Sequence, residues 1–169
     1  TPVGSKHQAE PYQSLLPLEQ AVQIWLDQPI GELAQPIPPE GKLDAALHGS
    51  HVAALFNQVQ LAETGADFSC TSLGNDPVGL ASPVTMRGVT AAYLFANTLV
   101  VLEVTEEVLR QTLERCATYF TLVDGQPQIA EEFLLPKVEH YNYDFYAGLS
   151  YTFDLRRPVG SRVIHLAKL

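Results

Sequence analysis

The sequence predicts an α+β domain, and three observations carry that prediction. Helix-like and strand-like segments follow one another without the regular strand–helix–strand rhythm of a parallel sheet. A β-branched apolar run, TLVVLEV (98–104), leads into an amphipathic helical stretch, TEEVLRQTLERCATYF (105–120). Finally, LSYTFDL (149–155) alternates strictly. It sets Leu149, Tyr151, Phe153 and Leu155 on one face and Ser150, Thr152 and Asp154 on the other. With 169 residues, 46% of them hydrophobic, the chain forms one domain spanning 1–169. A domain of that size buries roughly 70% of its unfolded surface.

In chain order, PLEQAVQIWLD (17–27) places Leu18, Val22, Trp25 and Leu26 on one helical stripe, with Pro17 in the first turn. Pro and Gly punctuate 31–44, which reads as loop with room for a short edge strand. A second helix runs through HVAALFNQVQLAET (51–64) on a stripe of Val52, Leu55, Phe56 and Val59, with Gly65 as its C-terminal cap. ADFSCTSL (66–73) reads as a strand and GNDPVGLASP (74–83) as a loop. A short helical turn is expected at 86–94. TLVVLEV then forms a strand. In the helix after it Thr105 is the N-cap, Glu106 and Glu107 suit the positive end of the dipole, and Leu109, Leu113, Cys116 and Phe120 form the buried stripe. DGQPQ is a turn, RRPVGS another, and RVIHLAKL (162–169) starts the partner of the alternating strand.

Several functional classes are set aside by bulk properties. A net charge of −9 with dispersed acids opposes binding to a DNA or RNA backbone. No apolar run reaches the roughly 20 residues of a membrane helix, and residues 1–12 lack the apolar core of a leader. Cys70 and Cys116 form at most one intrachain disulfide, fit no zinc spacing, and Cys116 reads as a buried free thiol. His48 and His51 could share a helix face and pinch a metal, but no carboxylate stands at the next helical step, so exposed histidines are the plainer reading. Glu106–Glu107 and Glu131–Glu132 are adjacent pairs pointing in different directions, unlike opposed acid and base carboxylates. No catalytic residue and no metal ligand is identified in this chain.

The stretch YNYDFYAGLSYTFDLRRPVGSRVIHL (141–166) is dense in aromatics. Tyr151 and Phe153 are core by alternation, and Tyr141, Tyr143, Phe145 and Tyr146 are expected to be scaffold ahead of ligand contacts. Together with HGSHVAALFNQVQLAETGADFSCTSL, VTMRGVTAAYLFANTLVVLEVT and LRQTLERCATYF, this stretch resembles the C-terminal domain of the 5′-nucleotidase family. The branch it is most similar to is the bifunctional 2′,3′-cyclic-nucleotide 2′-phosphodiesterase/3′-nucleotidases. Phe-x-Asn-Thr-Leu and Tyr-Asn-Tyr-Asp…Pro-Val-Gly-x-Arg are the most specific segments; residues 1–44 match loosely.

The resemblance implies a layered α/β/β/α domain with mixed sheets. It implies that this half grips a nucleoside or nucleotide by aromatic stacking, while a separate N-terminal metallophosphoesterase domain with two divalent metal ions performs the hydrolysis. Phe95 in LFANTL is the expected stacking residue, with Tyr93, Asn97 and Asn75 as its neighbours. Asn97 could equally fix the turn. Asn75 stands where 5′-nucleotidases carry Asn-Gly-Gly-Gly-Ile-Arg; the glycines and Arg are absent here, which favours the cyclic-nucleotide branch. The Gly-Gly-rich motif bearing the family's second stacking aromatic is also absent, so the resemblance implies a piece of a longer secreted, cell-wall or periplasmic protein, inactive by itself. A non-catalytic ligand-binding or surface-interaction module of the same fold is the alternative.

Overall fold

A computed structural model describes residues 9–169, with side chains from residue 13; residues 1–8, most of the stretch read for a leader, lie outside the described residues. The first helix, α1 (Ala9–Leu26), starts well before the expected point, so Pro17 lies inside it and not in its first turn. There it removes the backbone hydrogen bond to residue 13 and its ring crowds that carbonyl. The stripe of Leu18, Val22 and Trp25 is exposed, not buried. What ties α1 down is polar: Arg87 donates to Asp27 Oδ1 (2.7 Å) and to Gln23 Oε1 (2.6 Å).

Strand β1 (Pro29–Gly31) pairs antiparallel with β3 (Val84–Thr85). A second short helix, α2 (Lys42–His48), occupies the end of the region read as loop and stops at Gly49, φ 97°. Ser50 then caps α3 (His51–Thr64) by accepting from the Ala53 N–H. Gly65 closes α3 in the left-handed region, as its sequence position requires. The buried face of α3 is rotated from the expected stripe: Val52, Ala53 and Asn57 are buried, and Val59 is exposed. Apolar periodicity overlooks Asn57 because its burial depends on partners elsewhere. Its Nδ2 donates to Phe145 O (2.9 Å), and its Oδ1 accepts from the Ser69 hydroxyl (2.8 Å).

Strand β2 (Ser69–Ser72) pairs with β6 (Asp144–Ala147), placing Cys70 opposite Tyr146. Helix α4 (Met86–Ala92) is capped by Thr85. The expected strand at 98–104 is missing: the segment has no helix, strand or turn, and its apolar side chains are exposed. Strand propensity is satisfied only by a partner, and among the described residues none is supplied.

Helix α5 (Glu106–Ala117) buries Leu109, Leu113 and Cys116 beneath the Thr105 cap, as its pattern demands. Phe120 belongs not to this helix but to β4 (Phe120–Val123), which forms a hairpin with β5 (Gln126–Ile129). Its two-residue turn has Asp124 at φ 52° and Gly125 at φ 78°, the primed geometry that suits strand twist. The alternating run forms β7 (Leu149–Phe153), paired antiparallel with β8 (Val163–Lys168). Between β6 and β7, Gly148 sits at φ 82°, where a Cβ would lie 2.4 Å from Asp67 O.

All four ladders among the described residues are two-stranded and antiparallel, set among helices, so the class is α+β. The core has two centres. One gathers Val52, Ala53, Leu73, Leu80 and Ala92, and the other Cys116, Tyr119, Phe120, Phe133 and Tyr143. Phe145 packs against both and joins them.

Candidate functional site

The loop after α4 is shaped by an anchor at its start. Tyr93 lays its ring edge-on against Phe56 of α3, with centroids 5.2 Å apart and planes at 89°. The chain then tightens, and the Asn97 N–H donates to Phe95 O at 2.9 Å. Backbone, not the Asn97 side chain, makes this turn. Phe95 is 63% exposed, on the surface and not in the core. Leu94 beside it is exposed as well.

The 74–76 loop meets this one from the side. A Cβ on Gly74 would stand 3.2 Å from Leu94 Cδ1, so the two loops are close neighbours and leave no room for a side chain at 74. Lys42 Nζ donates to Gly74 O from below. Burial draws the Lys42 amine down to about 8, and the charge of Asp76 opposes that shift. Asn75 Nδ2 donates to Val138 O at 2.8 Å, and its Oδ1 is buried with no protein donor. The structure thus brings the Asn75 loop and the Tyr93–Asn97 loop together. Lys42 carries no sequence signal, since it opens a helix in a stretch whose Pro and Gly content predicts loop.

The aromatic run lies elsewhere and is mostly filling. Tyr143 packs at 4.9 Å from Tyr119 and 5.1 Å from Phe145. Tyr119 Oη lies 2.7 Å from His140 Nδ1; burial pushes this phenol up to about 12 and also draws the His140 imidazole down. An open groove of about 410 Å³ runs between α2 and β7, lined by Ala46, His48, Phe145, Tyr151 and Phe153 among others. Phe95 and its neighbours do not border it.

Arg162, from the Pro-Val-Gly-x-Arg turn, is buried, and its Nη1 donates at 2.7 Å to both Ala117 O and Phe120 O. It therefore closes the C-terminal end of α5 onto β4. Glu114 accepts from the backbone N–H groups of Arg162 and Val163 in return. The motif is scaffold.

No pair of the noted histidines converges. His48 ends α2 and meets Asp44 at 2.9 Å, whereas His51 opens α3 and meets Glu40. Among the described residues no group of three or more His, Cys, Asp or Glu side chains could hold a metal. Cys70 and Cys116 are both free thiols.

The family model of the 5′-nucleotidase C-terminal domain matches residues 29–168. The chain belongs to that family. A curated relative, the 2′,3′-cyclic-nucleotide 2′-phosphodiesterase/3′-nucleotidase of Haemophilus influenzae, is 28% identical over 85% of this chain and 25% of its own length. A solved putative 5′-nucleotidase from Staphylococcus aureus superposes with a TM-score of 0.84 at 31% identity, over 99% of this chain and 31% of that one. A 5′-nucleotidase precursor from Thermus thermophilus, 24% identical, shares the fold with a TM-score of 0.64 over 92% of this chain and 28% of that one. This 5′-nucleotidase C-terminal domain thus spans about a quarter of the curated relative and under a third of the two solved ones.

Proposed function

We propose that this domain is the nucleoside-gripping half of a metal-dependent nucleotide phosphoesterase acting on 2′,3′-cyclic or 3′-nucleotides, and that Phe95 is the face on which the base stacks. The observation that carries this reading is the outward Phe95 itself. An aromatic ring of that size held in solvent by a tight turn, with its neighbour Tyr93 anchored behind it, is available to a flat ligand. Stacking on one ring contributes about 1–3 kcal/mol per base and is tolerant of base identity. Asn97 is exposed two residues on in the same loop, and Asn75, whose Oδ1 is buried without a protein donor, lies in the neighbouring loop.

Hydrolysis belongs, in this reading, to an N-terminal metallophosphoesterase domain of the same protein, where two divalent metal ions would clamp the attacking and leaving oxygens. Secretion to the periplasm, cell wall or exterior goes with the same reading, supported by the precursor named among the solved relatives. The test is kinetic and uses the longer protein. Phe95→Ala raises KM for a 2′,3′-cyclic nucleotide by about 5- to 150-fold. Hydrolysis of glycerol phosphate, which has no base, stays unchanged. Equal KM values for wild type and variant would place the base elsewhere.

A further inference from the structure

The loop that carries Phe95 has little support from the core. Leu94 and Phe95 are 59 and 63% exposed, and the loop is anchored behind them by Tyr93, edge-on to Phe56. Sideways support comes from Gly74, so close to Leu94 that a Cβ there would stand 3.2 Å from Leu94 Cδ1. Gly74 is held in turn by a side chain, because its carbonyl accepts from Lys42 Nζ. That amine ends on a backbone oxygen, and Lys42 takes part in none of the ion pairs among the described residues. The lysine opens α2 and is half-buried, beside a small cavity walled by Leu73, Tyr119, His140 and Tyr143 among others. Asp76, two residues beyond Gly74, is the charge that bears on it.

We infer that Lys42 is a positioning residue for Phe95, acting through Gly74 and Leu94. The inference rests on the reading of Phe95 as the stacking face and adds to it a residue that does not meet the ligand. The contacts run in one line from the aromatic centre outward: the cavity wall at Tyr119 and Tyr143, Lys42, the Gly74 carbonyl, Leu94, and Phe95 next to it in the chain. Asn75, the neighbour of Gly74, is tied separately to Val138 O at 2.8 Å, so the post on which Leu94 rests is itself fixed. Glycine at 74 lets the two loops approach this closely. A ring already held in place loses less freedom when a base stacks on it. Removing the Lys42 donor frees Gly74, loosens the loop at Leu94 and weakens stacking, without reaching the phosphate.

A double-mutant cycle on the longer protein tests this, read as KM and kcat for a 2′,3′-cyclic nucleotide. Lys42→Met keeps the stem, removes the donor, and should raise KM about 2- to 10-fold at constant kcat. Leu94→Ala removes the contact further along the line and should act in the same direction. In a Phe95→Ala background neither substitution should raise KM further, because the ring that both position is gone. Full additivity of Lys42→Met with Phe95→Ala would overturn the inference, since the lysine would then act on the ligand by itself. A fall in kcat in place of a rise in KM would overturn it too. A wild-type KM in either single variant, alongside a raised one in Phe95→Ala, would overturn it and leave the stacking face standing. A wild-type KM in Phe95→Ala would remove that face and this inference with it. Should Lys42→Met fail to fold, Leu94→Ala, whose side chain is on the surface, decides by the same cycle.

Discussion

Single residues divide here into those that hold the fold and those that face outward, and the two groups predict opposite phenotypes. Arg162 holds: its buried guanidinium satisfies two carbonyls at the junction of α5 and β4. Arg162→Met leaves both without that donor, and urea unfolding should show a loss of about 3 kcal/mol. Phe95 faces outward, so Phe95→Ala should leave the same unfolding curve in place. Lys42 offers a test by pH. Its amine titrates lower in the fold, at about 8, than in the unfolded chain. Between that value and the ordinary lysine range the unfolded state holds the extra proton, so stability attributable to Lys42 rises with pH. The unfolding free energy of wild type minus that of Lys42→Met should therefore increase from pH 8 towards 10, whereas a flat or falling difference would mean that the amine is not half-buried against Gly74.

At the scale of elements, the sequence was most legible where the signal is local. The α5 cap, the α3 stop at Gly65 and the β7–β8 hairpin follow from residue types within a few positions of one another. Thr105→Ala should cost about 1 kcal/mol by removing the acceptor for the Val108 N–H, read as a shift in the thermal midpoint. Legibility failed where partners decide. The strand expected at 98–104 has strong propensity and no ladder, and Asn57 is buried because Phe145 and Ser69, distant in sequence, meet it. The apolar stripe of α1 is real as a pattern, yet it stays exposed. Phe120 continues the helical spacing of α5, yet it opens the hairpin strand β4.

For the whole molecule, the domain has an aromatic centre joined through Phe145 to a second apolar one, and an outward loop, bearing Phe95, whose Leu94 neighbours Gly74. The aromatic-rich stretch near the C-terminus marks the family: Tyr143 is buried in the core, Phe145, Tyr146 and Phe153 pack half-buried against it, and Tyr151, expected in the core, lines the groove. The candidate site lies nearly fifty residues earlier. Motif resemblance pointed to Phe95. Its exposure is carried by no sequence pattern. If hydrolysis belongs to a separate N-terminal domain, as proposed, residues 1–169 alone should release no phosphate from a 2′,3′-cyclic nucleotide in the presence of divalent cations. Metal-dependent release would contradict the division of labour proposed here.

The most direct measurement is a titration of isotopically labelled residues 1–169 with adenosine, followed by amide chemical shifts. One aromatic face provides only about 1–3 kcal/mol, so saturation should come above about 1 mM. The account predicts that the shifts which move lie in 74–76 and 93–97, and that Phe95→Ala abolishes the movement. Movement confined to the groove between α2 and β7, or a titration identical in wild type and Phe95→Ala, would contradict it.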